Sequence, residues 1–201
     1  MKVYIPSGLP DPNDRNFLDE IEPLLKKMIL KTKGRTFVLF TSYKSLNYMY
    51  YMLRDELEAQ GIDFFIQGMY PRTKLVDMFK KSDAPLLFGT DSFWEGVDVK
   101  GEKLISVIIV KLPFKVPSDP VTEAIIETYE QQGKNPFIEY QIPESVIKFK
   151  QGIGRLIRSK EDRGIITILD NRIVTKRYGK YFIDSIPSKN IVRIDQNEIF
   201  G

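Results

Sequence analysis

The chain has no cysteine and no histidine. The first absence removes disulfides, thiolate metal sites and thiol nucleophiles. The second removes every Ser–His or Cys–His catalytic arrangement, and a zinc site would have to be assembled from carboxylates alone. There is no run of about 18 apolar residues, so no transmembrane helix and no membrane partner are expected. Residues 1–6 are too short and too interrupted for a signal sequence, and the reducing cytoplasm is the expected compartment. The excess of basic over acidic residues is also small. Lys and Arg total 30 against 27 Asp and Glu, a net charge of +3, so contact with nucleic acid would have to come from local placement of basic residues. Two further parts are missing. No Gly-x-x-x-x-Gly-Lys-[Ser/Thr] phosphate loop occurs, and no expected strand ends in the adjacent acidic residues that would hold Mg²⁺.

What is present reads as a soluble globular chain. Its 201 residues are 42% hydrophobic and 28% charged, enough for one domain, or one large domain with an insertion, around a real core. Residues 2–15, dense in Pro, Gly and Asp, read as an extended lead-in with turns. A helical period follows over 17–31, with Asp14 or Asn16 available as a cap and Gly34 at the turn after it. Residues 35–41 (RTFVLFT) form a continuous apolar run suited to a strand buried on both faces. Ser42 stands where a helix N-cap belongs, and helix is expected over 43–60 with Gly61 as its stop.

The alternation continues with strand over 63–67, helix over 71–81, and strands over 85–89 and 103–111. Helix is then expected over 143–158, strand over 164–170, helical segments within 173–185 and a short strand over 191–195. Such alternation predicts an α/β fold, a parallel sheet with helices on both faces. One stretch breaks it. Residues 112–142, punctuated by proline and holding a helix over 121–132, read as an insertion carried on the domain. Ligands of parallel sheets bind beyond the carboxyl ends of the strands, which makes Thr41-Ser42, Gly89-Thr90 and Asp170 the candidate loops.

Three segments carry chemistry. On a helix at about 100° per residue, Gln151, Arg155 and Arg158 fall on one narrow stripe, with Val146, Phe149, Ile153, Leu156 and Ile157 opposite. Two planar guanidiniums and an amide at fixed spacing suit phosphate oxygens, and Gly154 leaves room for a close approach. The same pattern would also serve a solvated surface helix. The stretch from Gly89 to Gly101 holds three glycines, the hydroxyls of Thr90 and Ser92, and the acids Glu95 and Asp98, which could receive a ribose hydroxyl. Trp94 within it could stack on a ligand or plug the core. At Thr41-Ser42-Tyr43-Lys44 a helix N-terminus offers free N–H groups to a phosphate, alongside simple capping by Ser42.

These residues resemble a known family. Phe37-Val38-Leu39-Phe40-Thr41-Ser42 is similar to motif IV of superfamily 2 helicases. Gly89-Thr90-Asp91 through Gly96-Val97-Asp98 is similar to motif V, and Gln151-x-x-Gly154-Arg155-x-x-Arg158 to motif VI. The fuller wording, Phe93-Trp94-Glu95-Gly96-Val97-Asp98 and Gln151-Gly152-Ile153-Gly154-Arg155-Leu156-Ile157-Arg158-Ser159, resembles the DinG/XPD branch, and DinG-like proteins most closely. Leu9-Pro10-Asp11-Pro12, Leu112-Pro113-Phe114 and Pro117-Ser118-Asp119-Pro120 are also similar to that branch, so the likeness runs over nearly the whole chain. Asn171 departs from it, standing where relatives often have proline.

The resemblance implies that residues 1–201 are the second RecA-like motor domain of an ATP-dependent DNA helicase, with an insertion at about 112–142. ATP with Mg²⁺ would be held mainly by a first RecA-like domain. Arg155 and Arg158 would then act on its γ-phosphate, Gln151 would orient phosphate or water, and Asp98, Glu95 and Gly96 would contact or couple to the nucleotide. Thr41, Ser42, Gly89 and Thr90 would hold the phosphates of single-stranded DNA. An iron–sulfur cluster or a fused exonuclease would belong to other parts of such a protein, and this chain alone would hydrolyse no ATP. The competing reading is a catalytically silent RecA-like module that binds nucleic acid or a partner.

Overall fold

The computed structural model describes residues 1–94, 99, 103–154, 164–188 and 190–195. The strands are β1 (Lys2–Ser7), β2 (Thr36–Leu39), β3 (Asp63–Ile66), β4 (Pro85–Gly89), β5 (Ser106–Ile109), β6 (Ile165–Ile168) and β7 (Ile191–Asp195). Among the described residues they form one seven-stranded sheet in the order β3-β4-β2-β5-β6-β1-β7. Every pairing in it is parallel. The helices are α1 (Phe17–Lys31), α2 (Tyr43–Ala59), α3 (Arg72–Lys81), α4 (Asp91–Trp94), α5 (Pro120–Gln131), α6 (Ile142–Ile153), α7 (Arg172–Thr175) and α8 (Gly179–Ser185), with a π-helical turn at Phe137–Gln141.

Side chains of the central strands alternate between two cores, as the period of two in a strand requires. Phe37 and Leu39 of β2 and Val107 and Ile109 of β5 face one layer, where Phe79, Trp94, Phe149, Ile153 and Phe182 close the sheet. Val38 and Phe40, with Ile108 and Val110, face the other, closed by the apolar stripes of α1 and α2 through Phe17, Ile21, Leu25, Leu46, Met49 and Leu53. The expected sheet with helices on both faces is therefore the observed one.

The amino-terminal segment differs from the expected lead-in. β1 lies between β6 and β7, with Val3 and Ile5 fully buried. Proline cannot donate to a ladder, so Pro6 is an unusual member of an inner strand. The register shows why it is tolerated: β6 pairs only with Lys2 to Tyr4, whereas β7 continues to Ser7. Pro6 thus lies past the end of the β6 ladder. At the start of α1, Asn16 occupies the cap position without capping, and its side chain donates instead to Glu20.

Residues 112–142 leave the carboxyl end of β5 and fold back on the domain. The Phe114 ring stacks on Phe137 at 5.7 Å and meets Tyr178 and Phe182 edge-on at 5.4 and 5.8 Å. Asp119 caps α5 by accepting from the Thr122 backbone N–H at 3.0 Å, and Pro120 occupies its first turn.

A candidate nucleotide and nucleic-acid face

The direction in which each helix leaves its strand sets the location of the site. α2, following β2, packs on one face, whereas α4 and α6, following the neighbouring strands β4 and β5, pack on the other. That divergence opens a crevice beyond the carboxyl end of β2, the position at which parallel sheets bind ligands. Thr41 and Ser42 follow the end of β2 there, with Gly89 and Thr90 at the end of the neighbouring β4.

Thr41 is half-buried and Ser42 exposed. Ser42 is the N-cap of α2, extended at φ −150° and ψ 147°, and its Oγ accepts from the Ser45 N–H at 3.2 Å. Capping and exposure coexist, so the helix terminus stays open to solvent. Gly89 is buried at the end of β4, and its carbonyl accepts from the Phe40 N–H at 2.9 Å. A Cβ on Gly89 would lie 2.6 Å from that of Phe93, so glycine is required for the first turn of α4 to pack back on its own strand. Thr90 is 3% exposed, and both of its donors point at Gln67 Oε1, from N at 2.6 Å and from Oγ1 at 3.1 Å. Gln67 Nε2 in turn donates to the Tyr43 hydroxyl. Gln67 escaped the sequence reading, although a polar residue directly after the apolar strand DFFI carries the same strand-end signal as Thr41 and Thr90.

Trp94 does not stack on a ligand. It is fully buried, and its Nε1 donates to the Phe40 carbonyl at 3.0 Å, which satisfies the indole inside the core. A close contact of a different kind, inside the core, is made at Gly152. A Cβ there would meet Trp94 Cε3 at 2.6 Å and Leu39 Cδ1 at 3.2 Å, whereas at Gly154 the nearest described atoms are carbonyl oxygens of the preceding turn. Phe149 and Ile153 of α6 are buried as the helical pattern predicts, and Gln151 is half-buried on the groove side.

That groove separates α6 from the segment leaving β5. A cavity of about 320 Å³ includes Thr41, Phe114, Val116, Val121 and Lys148 in its walls. A second of about 320 Å³ reaches Gln151 and Glu144. The two share Pro113, Lys115 and Lys148 in their walls, so they adjoin each other between the end of β2 and the face of α6. Lys115 donates to Glu144 and Tyr140, both at 3.0 Å, and the two contacts raise its pKa, the Tyr140 hydrogen bond most.

Asp170 turns inward rather than toward a ligand. It is fully buried and accepts from the Leu112 N–H at 2.7 Å, the Arg172 N–H at 3.0 Å, and Arg172 Nε and Nη2 at 2.9 and 2.6 Å. Burial acts against the Arg172 charge, but the Asp170 carboxylate outweighs it and holds the pKa above the ordinary guanidinium value. Asn171 donates to the carbonyls of Leu9 and Pro10, both at 3.0 Å, tying the loop after β1 to the end of β6. Lys111 donates to the Pro12 carbonyl. Burial, then the neighbouring Arg172 charge, pushes its pKa down.

The remaining predicted residues, Arg155, Arg158, Asp98, Glu95 and Gly96, lie outside the described residues, as do the end of the expected 143–158 helix and the Ser92 side chain. A family model for the helicase C-terminal domain matches residues 25–189. The chain belongs to the helicase C-terminal domain family. The DinG-like resemblance of its motifs holds within that family. The chain is 43% identical over 197 residues to the ATP-dependent DNA helicase YoaA of Haemophilus influenzae, covering 98% of this chain and 30% of that protein. It is 38% identical over 204 residues to the 3'-5' exonuclease DinG of Bacillus subtilis, covering 99% of this chain and 22% of that protein.

Among solved structures, S. tokodaii Xpd4 superposes with a TM-score of 0.66 at 24% identity, over 96% of this chain and 38% of that one. A structure titled XPD helicase gives 0.69 at 16%, over 96% and 35%. Both share the RecA-like fold. This helicase C-terminal domain thus spans under a third of the curated relatives it matches, and among its described residues no helix is long and apolar enough to cross a membrane.

Proposed function

We propose that this domain is the second motor domain of an ATP-dependent DNA helicase, working on ATP and Mg²⁺ held mainly by a first RecA-like domain and gripping single-stranded DNA. The observation that carries the reading is the groove formed by two adjoining cavities, one lined by Thr41 at the end of β2 and the other by Gln151 on α6. It supports the reading by bringing Thr41 and Gln151, from two of the motifs that resemble those of helicases, to one edge of a sheet whose family is that of helicase C-terminal domains. Thr41 and Ser42, with Gly89 and Thr90 beside them, are the phosphate contacts on the strand side. Hydroxyl and amide contacts of that kind fix a backbone without reading sequence, as a translocating motor requires. On the nucleotide side Arg155 and Arg158 neutralise charge that builds on the γ-phosphate, Gln151 orients phosphate or water, and Asp98, Glu95 and Gly96 couple the segment after β4 to the nucleotide.

Arg155→Ala tests the reading in a protein carrying both motor domains. A guanidinium acting on the transition state contributes about 10³–10⁵ in rate, so ATP turnover should fall by at least about a thousandfold while nucleotide affinity stays within about tenfold. Normal turnover in that variant would overturn the assignment.

A further inference from the structure

The two Thr90 donors assigned to a DNA phosphate are not aimed at solvent. The backbone N–H and the hydroxyl converge on a single oxygen, Gln67 Oε1, at 2.6 and 3.1 Å, and Thr90 is 3% exposed. A backbone amide and a hydroxyl closing on one oxygen is the arrangement that holds a phosphate oxygen at a strand end. Gln67 is half-buried and reaches this position from the loop after β3, the strand beside β4, with its Nε2 donating to the Tyr43 hydroxyl in the first turn of α2.

We infer that the Gln67 carboxamide stands in for a strand phosphate, so that Gln67 and the strand compete for the Thr90 donors. The inference rests on the strand-gripping reading of Thr90 given above. Two arrangements exclude each other. In one, Gln67 bridges Thr90 and Tyr43 and links the loops after β2, β3 and β4. In the other, its side chain has rotated away and a phosphodiester oxygen accepts from Thr90. The apparent strand affinity is then the intrinsic affinity multiplied by the fraction of molecules with Gln67 displaced. A phosphodiester is charged and forms the stronger hydrogen bonds, so it can displace a neutral amide, but only at a cost to affinity. Grip would therefore be weaker than the donors themselves allow, which suits a motor that must release the strand at every step.

The test uses Gln67→Met, which keeps the side-chain length and removes the amide, with Gln67→Ala as a second variant. Binding of the fluorescent octanucleotide (dT)8 to the 201-residue chain is measured at low salt by anisotropy, with the Thr90 backbone amide and the Gln67 side-chain amide followed by NMR. Both variants should bind on the order of fivefold tighter or more, since two hydrogen bonds to the competitor are lost. In the unaltered chain the Thr90 and Gln67 amide signals should move together along the titration. If (dT)8 binds but the variants bind equally or more weakly, Gln67 supports Thr90 rather than competing for it, and the inference falls while the strand-gripping reading stands. Binding that leaves the Thr90 amide unmoved would also overturn the inference. If the unaltered chain and both folded variants bind no (dT)8, the strand-gripping reading fails and takes the inference with it.

Discussion

Asp170 shows how a residue at a ligand-binding edge becomes a structural one. Its two oxygens are taken by the Leu112 N–H and by the backbone and guanidinium of Arg172, and none of its surface reaches solvent. The pair also seats the Arg172 guanidinium 5.6 Å from the Phe114 ring, the contact from which the 112–142 segment folds back. Removing one partner from such a pair leaves the other charge buried and uncompensated. The Arg172 side chain keeps 15% exposure, so some of that cost is relieved by water. Asp170→Asn should therefore destabilise the domain by about 3 kcal/mol, the lower end for a broken buried pair. For a domain of this size that lowers Tm by roughly 6–12 °C, which calorimetry would read. An unchanged Tm would show the pair to be dispensable. The sequence placed Asp170 at the correct strand end but could not say which way its carboxylate points, because one of its partners, the Leu112 N–H, lies 58 positions away.

At the level of elements, the junction of α4 with α6 is a tightly constrained contact on the site side. Gly152 lies against the Trp94 indole, and Trp94 is anchored through its N–H to the carboxyl end of β2. Helix propensity alone would favour Ala over Gly at position 152 by about 1 kcal/mol. Packing opposes it, because a Cβ 2.6 Å from a ring carbon held on all sides cannot be accommodated without displacing the indole. Overpacking of this kind costs about 1–3 kcal/mol, so Gly152→Ala should be destabilising despite its helical position. Chemical denaturation would show a lower midpoint, and a gain in stability would show that Trp94 yields freely. The helix itself was legible from its apolar period. The reason for its glycine was not, since a period shows that a face is buried and not what it is buried against.

For the whole molecule, the decisive relation is between the groove and what is not encoded in this chain. The sequence contains no phosphate loop, and within the family resemblance nucleotide binding needs a second motor domain. The 201-residue chain should therefore hydrolyse no ATP on its own, with or without single-stranded DNA, in a phosphate-release assay on a preparation free of other ATPases. Turnover that follows the purified chain through gel filtration would contradict the two-domain reading. Most of the α/β alternation could be read from the sequence because doubly buried strands and amphipathic helices carry strong local periods. β1 could not, because Pro6 weakens the local signal and only the register with β6 and β7 shows it to be harmless.

The amino-acid sequence by itself determined the fold class, the order of most elements and the family, since these follow from periodicity, turn residues and motif wording that act within a few neighbours. Tertiary structure decided which side chains face the groove and which face each other. Gln67 met Thr90, Trp94 met Gly152 and Asp170 met Leu112 because strand order and helix handoff bring separate loops to one edge. No local period encodes those encounters. They exist only once the sheet has assembled, and the distances between their partners are a property of the packed chain.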